Sequence, residues 1–169
     1  GQNQRSQITM TPDEIAAFLE RSRTATMVTI GPSGMPHVVA MWYGLVDGAV
    51  VFETKAKSQK AVNLRRDPRV VVSVEAGDTY DQLRGIAIEG TATLVEDTTS
   101  DEYWAAGISV FERYQAPYND EMRPFVEMMM NKRIVVRVEP QRIRSWDHRK
   151  LGNPPMPLGG STAAYLGEP

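Results

Sequence analysis

Three lysines surround a serine in the middle of the chain, in an order suited to holding an anion. They are Lys55, Lys57 and Lys60, and Ser58 lies between them. Serine is a favoured N-cap residue, so the sequence predicts a short helix that begins after Ser58. The first N–H groups of a helix have no partner inside it and carry the positive end of its dipole, so they attract phosphate. The segment is therefore a candidate phosphate site, and the alternative interpretation is a solvated lysine loop.

The elements that must position this segment follow from turn residues and hydrophobic alternation. Asp47-Gly48 is typical of a two-residue hairpin turn. Strands are predicted over residues 24–30, 37–46, 49–54, 69–75, 83–96 and 133–139, with a short seventh over 142–146. Further helices are predicted over residues 11–20, 101–114 and 120–130. Strands in this order with hairpin connections favour an antiparallel barrel over a doubly wound parallel sheet.

Length and composition limit the kind of protein. The 169 residues are enough for one domain with a core, and we expect a flexible N-terminus over 1–10, a cofactor-binding barrel over 11–151 and a Pro/Gly-rich tail over 152–169. The lack of cysteine excludes thiolate chemistry, and two histidines are too few for a transition-metal site. Any redox chemistry must therefore use a borrowed cofactor.

Charge and hydropathy narrow the partners. A net charge of −2 gives no general attraction to nucleic acid. No apolar run approaches the ~20 residues of a membrane-spanning helix, and no signal-peptide pattern is present. We therefore expect no nucleic-acid partner, no membrane span and a location in the cytoplasm.

Two segments, in the right order, resemble motifs of the pyridoxamine 5'-phosphate oxidase family. The first resembles the family's FMN-phosphate motif and consists of Phe52-x-Thr54, Ser58-x-Lys60 and Leu64. The second is the run Arg84-Gly85-Ile86-Ala87-Ile88-Glu89-Gly90-Thr91-Ala92. The resemblance covers residues 24–146. It implies a split β-barrel that is mainly β and antiparallel, has flanking helices and forms a homodimer.

A third run indicates a branch of that family. Residues 63–69, Asn-Leu-Arg-Arg-Asp-Pro-Arg, resemble the actinobacterial branch, which includes reductases that use the deazaflavin coenzyme F-420. The resemblance implies this coenzyme as cofactor, with FMN as the alternative. The implied binding residues are Lys55, Lys57, Ser58, Lys60 and Asn63 around the phosphate, the backbone of Val39, Ala40 and Met41 beside the ring, and Lys132 and Arg133 near the acidic tail of the coenzyme.

Each of these assignments has a structural alternative. The segment from Val38 to Tyr43 is also typical of plain barrel core. Lys132 and Arg133 also suit a solvated helix C-terminus, where cations favour the dipole. Gln59 stands where the oxidase motif has arginine, and residues 145–150 do not reproduce the ending of the oxidases. Oxidation of the vitamin is therefore not expected.

The leading interpretation is transfer of a hydride from reduced coenzyme F-420 to a conjugated organic acceptor, such as a quinone, an enone or a tetrapyrrole like biliverdin. An FMN-dependent oxidoreductase of the same fold is one alternative. A module that carries a cofactor or haem without turnover is another. The sequence identifies no catalytic acid, base or nucleophile, and hydride transfer needs little beyond a positioned cofactor. The catalytic residues therefore stay unassigned.

Overall fold

Seven strands form one antiparallel sheet in the computed structural model, which describes residues 3–157. The strands are β1 (Ala25–Ile30), β2 (Pro36–Met41), β3 (Gly44–Val46), β4 (Ala49–Lys55), β5 (Arg69–Ala76), β6 (Arg84–Val95) and β7 (Arg133–Asp147). The helices are α1 (Gln4–Ile8), α2 (Pro12–Arg21), α3 (Gln59–Arg66), α4 (Asp101–Tyr114) and α5 (Arg123–Met130), with 3-10 turns at Asp120–Met122 and His148–Leu151. Among these helices, none is long and apolar enough to cross a membrane.

The predicted fold class, mainly β and antiparallel with flanking helices, is confirmed. Three elements differ from the expectation. The predicted strand over 37–46 is divided into β2 and β3, and the sixth and seventh predicted strands are one strand, β7. A short helix, α1, also lies in the N-terminal segment for which no regular structure was predicted. Asn3 caps this helix, and the buried Met10 that follows it donates its N–H to Ser145 Oγ at 3.0 Å.

The sheet curls because its two ends are neighbours in sequence. The strand order is β2-β1-β5-β6-β7-β4-β3, so a flat sheet would hold β2 and β3 roughly 29 Å apart. Only Trp42 and Tyr43 separate the two strands, and three Cα–Cα steps span at most ~11 Å. The sheet therefore bends round until its ends meet, which makes an open barrel.

Hydrogen bonds from α4 hold this two-residue link. The Tyr43 N–H donates to Tyr114 Oη at 2.9 Å, and Arg113 Nε donates to the Tyr43 carbonyl at 2.9 Å. The Tyr43 hydroxyl in turn donates to the Leu19 carbonyl at 2.5 Å, at the end of α2. Burial raises the pKa of Tyr43 to about 12. The phenol therefore stays protonated and keeps donating throughout the neutral range.

Two apolar clusters flank the strands. The barrel interior holds one cluster, which includes Met27, Phe52, Val72, Ile86 and Val136. The other lies where α4 and α5 cover the opposite face of β4 and β7, and it includes Val51, Tyr103, Ala106, Val126 and Val135. Because neighbouring residues of β4 and β7 belong to different clusters, both strands are packed on both faces. The end of β4 is thus held rigidly where it enters the lysine segment.

Helix α3 is fastened to the barrel by Asn63, whose side chain is fully buried. Its Nδ2 donates to Thr29 Oγ1 on β1 at 3.0 Å, and its Oδ1 accepts from Gln59 Nε2 at 2.8 Å. Arg66, on the last turn of α3, donates to the Ile30 carbonyl at the end of β1. These contacts fix α3 against β1.

Two glycines in the second family-like segment permit close approaches of β7. A Cβ at Gly90 would lie 2.1 Å from the Glu139 carbonyl oxygen, and one at Gly85 would lie 2.5 Å from the ring of Trp146. The β6–β7 register shifts between Glu89 and Gly90, so the close approach at Gly90 coincides with a β-bulge. No side chain larger than hydrogen fits at either position without a shift of the neighbouring strand.

Loss of the Asn63–Thr29 bond should destabilise the protein. We expect Asn63→Ala to lower the free energy of unfolding by roughly 1 to 3 kcal/mol, because it leaves the buried Thr29 hydroxyl without its partner. Urea unfolding measures this loss. Thr29→Val is the matched control, and the double variant should lose less than the sum of the two single losses. Strictly additive losses would show that the two side chains are not coupled.

Gly90→Ala should also destabilise the barrel, by roughly 2 kcal/mol or more, because the new methyl group collides with the Glu139 carbonyl. The midpoint of thermal unfolding reports this change. Thr91→Ala, at the next and partly exposed position of β6, should shift that midpoint much less. A Gly90→Ala protein as stable as the parent would refute the close approach.

Candidate cofactor site

The lysine segment, residues 55–60, begins with a turn held by three hydrogen bonds and is called the lysine turn below. The Ser58 N–H donates to the Lys55 carbonyl at 2.9 Å, which closes the turn. The Ala56 N–H donates to the Lys132 carbonyl at 3.0 Å, and Arg65 Nη1 donates to the Ala56 carbonyl at 2.7 Å. The turn therefore has a defined shape before any ligand is bound.

Ser58 caps α3, as the sequence predicted. Its Oγ accepts from the Ala61 N–H at 3.3 Å and lies 3.1 Å from Thr54 Oγ1. The N–H groups of Gln59 and Lys60, the first two of the helix, have no helical partners. These two groups and the dipole of α3 give the turn the donors that a phosphate needs.

Pairing of β4 with β7 brings Lys132 and Arg133 to the same place. Lys55 pairs with Arg133 in the antiparallel register, and Lys132 directly precedes this pair. Lys132 has a φ of 59°, the left-handed region, which costs a non-glycine residue about 1 to 2 kcal/mol. Its side chain is exposed, whereas that of Arg133 is partly buried. The structure therefore gathers all the lysines predicted for the site, and Arg133 with them, around one turn.

Arg133 is not a free cation, because Glu53 on β4 faces it. Arg133 Nε lies 3.0 Å from Glu53 Oε2, and the Glu53 side chain is only 14% exposed. Burial raises the pKa of Glu53, although Arg133 and Lys60 oppose this rise. Burial and the charge of Arg133 lower the pKa of Lys60, although Glu53 opposes this fall. These opposing effects link the three groups into one electrostatic cluster.

Asn63, one of the residues predicted to bind the cofactor, lies on the inner face of α3. It is fully buried, and its amide atoms bond to Thr29, Gln59 and Arg66. In this structure Asn63 thus positions α3 and exposes no atom to a ligand. The reason is its place on the helix face that packs on β1, which a sequence pattern does not show without knowledge of that packing.

The predicted ring seat, the backbone of Val39, Ala40 and Met41, lies on an edge of the sheet. Within residues 3–157, β2 pairs with β1 alone, so its other edge has free donors and acceptors. The segment Phe52–Lys55 of β4 likewise pairs with β7 only. Helix α3 follows β4 and reaches the end of β1 through Arg66, while the Trp42-Tyr43 link joins β2 to β3. The lysine turn and the β2 edge therefore border the same split of the barrel.

Two ring side chains, those of His37 and Trp42, lie on this strand or directly after it. His37 is paired with Thr29 across β1 and β2, and its Nδ1 is buried without a hydrogen-bond partner among the described residues. Trp42 is 52% exposed and stacks on Tyr114, with ring centroids 4.3 Å apart. Both are therefore candidate contacts for a ligand along β2.

The donor set suits a phosphate carried on a ribityl chain. It offers two helix N–H groups, the exposed ammonium groups of Lys55 and Lys57, and the partly buried Lys60. Strand-edge N–H and C=O groups are the fixed partners that the polar edge of a flavin or deazaflavin ring needs. Sequence reasoning missed Glu53 and Arg65, because their roles arise from contacts with residues distant in the chain.

Known protein families and solved structures include proteins similar to this chain. A family model described as pyridoxamine 5'-phosphate oxidase matches residues 11–147. A solved structure of a conserved hypothetical protein from Mycobacterium tuberculosis is 58% identical, with a TM-score of 0.91 over 95% of this chain and 99% of that chain. A structure described as an F-420 reductase is 26% identical, with a TM-score of 0.59 over 79% of this chain and 98% of that chain.

The curated proteins that are similar to this chain include a reductase and two oxidases. A reduced-coenzyme-F-420-dependent biliverdin reductase of Mycobacterium tuberculosis is 28% identical over 122 residues, which are 71% of this chain and 84% of that protein. The chain spans about two fifths of the length of the curated pyridoxine/pyridoxamine 5'-phosphate oxidases that it matches. Because the family match runs from α2 to the end of β7, the chain belongs to the pyridoxamine 5'-phosphate oxidase family.

Proposed function

We propose that this protein binds coenzyme F-420 and catalyses hydride transfer from the reduced coenzyme to a conjugated organic acceptor. One observation carries the proposal: the β4–β7 pairing sets the exposed Lys132 beside the lysine turn. A cation beyond the phosphate site suits a cofactor whose phosphate continues into an acidic tail. The relatives that use or are named for this coenzyme support the same choice.

The groups of the site would have three roles. Lys57, Lys60 and the first N–H groups of α3 would hold the phosphate. The free edge of β2, from Val39 to Met41, would hold the polar edge of the ring and leave one ring face open. Lys132 would meet the acidic tail, while Arg133, held by Glu53, would add positive charge without a direct contact.

The chemistry supplied by the bound coenzyme is transfer of a hydride from the reduced deazaflavin ring. The protein contributes orientation, which can account for much of a rate enhancement when two reactants are held in register. The half-exposed Trp42 offers a flat apolar surface near the β2 edge, which suits a conjugated acceptor such as a quinone, an enone or a tetrapyrrole. His37, whose Nδ1 has no hydrogen-bond partner within residues 3–157, would offer a hydrogen bond to the ring or the acceptor.

FMN is the second candidate cofactor, and the family match favours it. Against FMN, Gln59 replaces a motif arginine, and its side chain bonds to Asn63 at 2.8 Å. The site therefore lacks a fixed guanidinium that would grip a phosphate bidentately. The homodimer implied by the resemblance is part of the proposal, since a second chain would cover the strand edges that border the split.

The lysine turn can be tested by binding. We expect Lys60→Ala to raise the Kd for coenzyme F-420 roughly tenfold or more, and Lys57→Ala to raise it less, because Lys60 is partly buried and Lys57 is exposed. Fluorescence titration measures both values. Lys150→Ala is the control, since Lys150 pairs with Glu14 away from the turn. Parent-like affinity in both turn variants would show that the phosphate lies elsewhere.

Turnover separates the three functions considered. In single-turnover mixing with reduced coenzyme F-420 and a panel of quinones, enones and biliverdin, we expect at least one acceptor to oxidise the coenzyme faster than without protein. Absorbance of the oxidised deazaflavin follows the reaction. A carrier module would leave the coenzyme reduced with every acceptor. An FMN-dependent enzyme would instead retain FMN when purified from an ordinary host, and would not bind the deazaflavin.

A further inference from the structure

A carboxylate stands among the cations of this site, where an anion is expected to bind. Glu53 lies on β4, two residues before the lysine turn, and its side chain faces Arg133 and Lys60. A glutamate here weakens the attraction for any negatively charged ligand. General attraction for an anion therefore does not explain why a glutamate occupies this position.

Burial makes the effect of Glu53 strong. Its side chain is 14% exposed, and its Oε2 accepts no well-aligned hydrogen bond from the described residues, although Arg133 Nε is 3.0 Å away. The pair is only partly shielded by water, so its field reaches neighbouring groups with little screening. The exposed ammonium groups of Lys55, Lys57 and Lys132 are, in contrast, screened by solvent and salt.

The inner part of the site therefore carries a single net positive charge. Lys60 and Arg133 contribute two positive charges, and Glu53 removes one. Charge matching at such a partly buried site favours a ligand group with one negative charge over a group with two.

Phosphate esters differ in the number of negative charges that they carry at neutral pH. A phosphate monoester, such as the terminal group of FMN, has a second pKa near about 6 and is mostly a dianion at neutral pH. A phosphate diester has no second ionisable oxygen and stays a monoanion. The phosphate of coenzyme F-420 is a diester, because it continues into the lactyl group of the tail.

We propose that Glu53 is a specificity-determining residue that makes this site prefer a phosphate diester over a phosphate monoester. The proposal rests on the proposed function, since it concerns the same phosphate site. Glu53 acts through the charge it adds beside Lys60 and Arg133, without touching the ligand itself. It gives a physical reason for a deazaflavin cofactor in a family whose motif also serves FMN.

The test uses two probes with the same ring. They are 5-deazariboflavin 5'-phosphate, a monoester, and its methyl diester, and equilibrium dialysis at neutral pH gives both Kd values. We expect the parent protein to bind the diester more tightly. In Glu53→Gln, which keeps the size of the side chain, the ratio of the two Kd values should shift toward the monoester by roughly tenfold. A ratio within one protein is independent of the fraction that is correctly folded.

Two further variants separate charge from structure. Glu53→Asp keeps the charge and should keep the preference for the diester. Glu102→Gln removes another partly buried carboxylate, one that pairs with Arg137 four residues further along β7, and it should leave the ratio unchanged. A shift of the same size in Glu102→Gln would overturn the role of Glu53.

Binding of coenzyme F-420 in the same assay tests the proposed function separately. If the coenzyme and both probes bind but Glu53→Gln leaves the ratio as in the parent, the role of Glu53 is wrong and the proposed function stands. If neither the coenzyme nor the probes bind the parent protein, the proposed function and the role of Glu53 both fail.

Discussion

Pairing of the end of β4 with the start of β7 is the interaction on which the candidate site depends. It places Lys55 opposite Arg133 and lets the Lys132 carbonyl accept from the Ala56 N–H. Without it, the lysine turn and the cations at the start of β7 would belong to separate surfaces. The pairing is itself held by apolar packing on both faces, in the barrel and beneath α4 and α5. The chemistry of the site is thus a consequence of a well-packed strand pair.

The positively charged side chains of the site repel one another, and nearby carboxylates reduce this repulsion. Glu53 neutralises Arg133 at the inner side of the site, and Glu96 pairs with Arg65, whose guanidinium also holds the turn through the Ala56 carbonyl. Each of these pairs fixes a backbone segment as well as a charge. Lys55, Lys57 and Lys132 are exposed and form no ion pair within residues 3–157.

Local signals predicted local structure well. The hairpin turn at Asp47-Gly48 has positive φ at both residues, Ser58 caps α3, and α4 spans residues 101–114 as predicted. The family-like motif also predicted that Lys55, Lys57 and Lys60 lie in one turn, and their role in binding stays a prediction. Long-range contacts were not predictable in this way. The burial of Asn63 depends on the packing of α3 against β1, and the continuity of β7 through Pro140 depends on its long partner β6. In both cases the decisive neighbour is many residues away in the chain.

The two-residue connection between β2 and β3 has a mechanical consequence. It joins the two edge strands of the sheet, so β2 and β3 cannot change register independently. A shift of one residue would turn every side chain of the strand to the opposite face. Arg113 and Tyr114 clamp this connection to α4, while Tyr43 ties it to α2. A barrel fastened in this manner should not fray from an edge inward. We expect its strands to melt in one cooperative step, with the helices at the connection lost in the same transition.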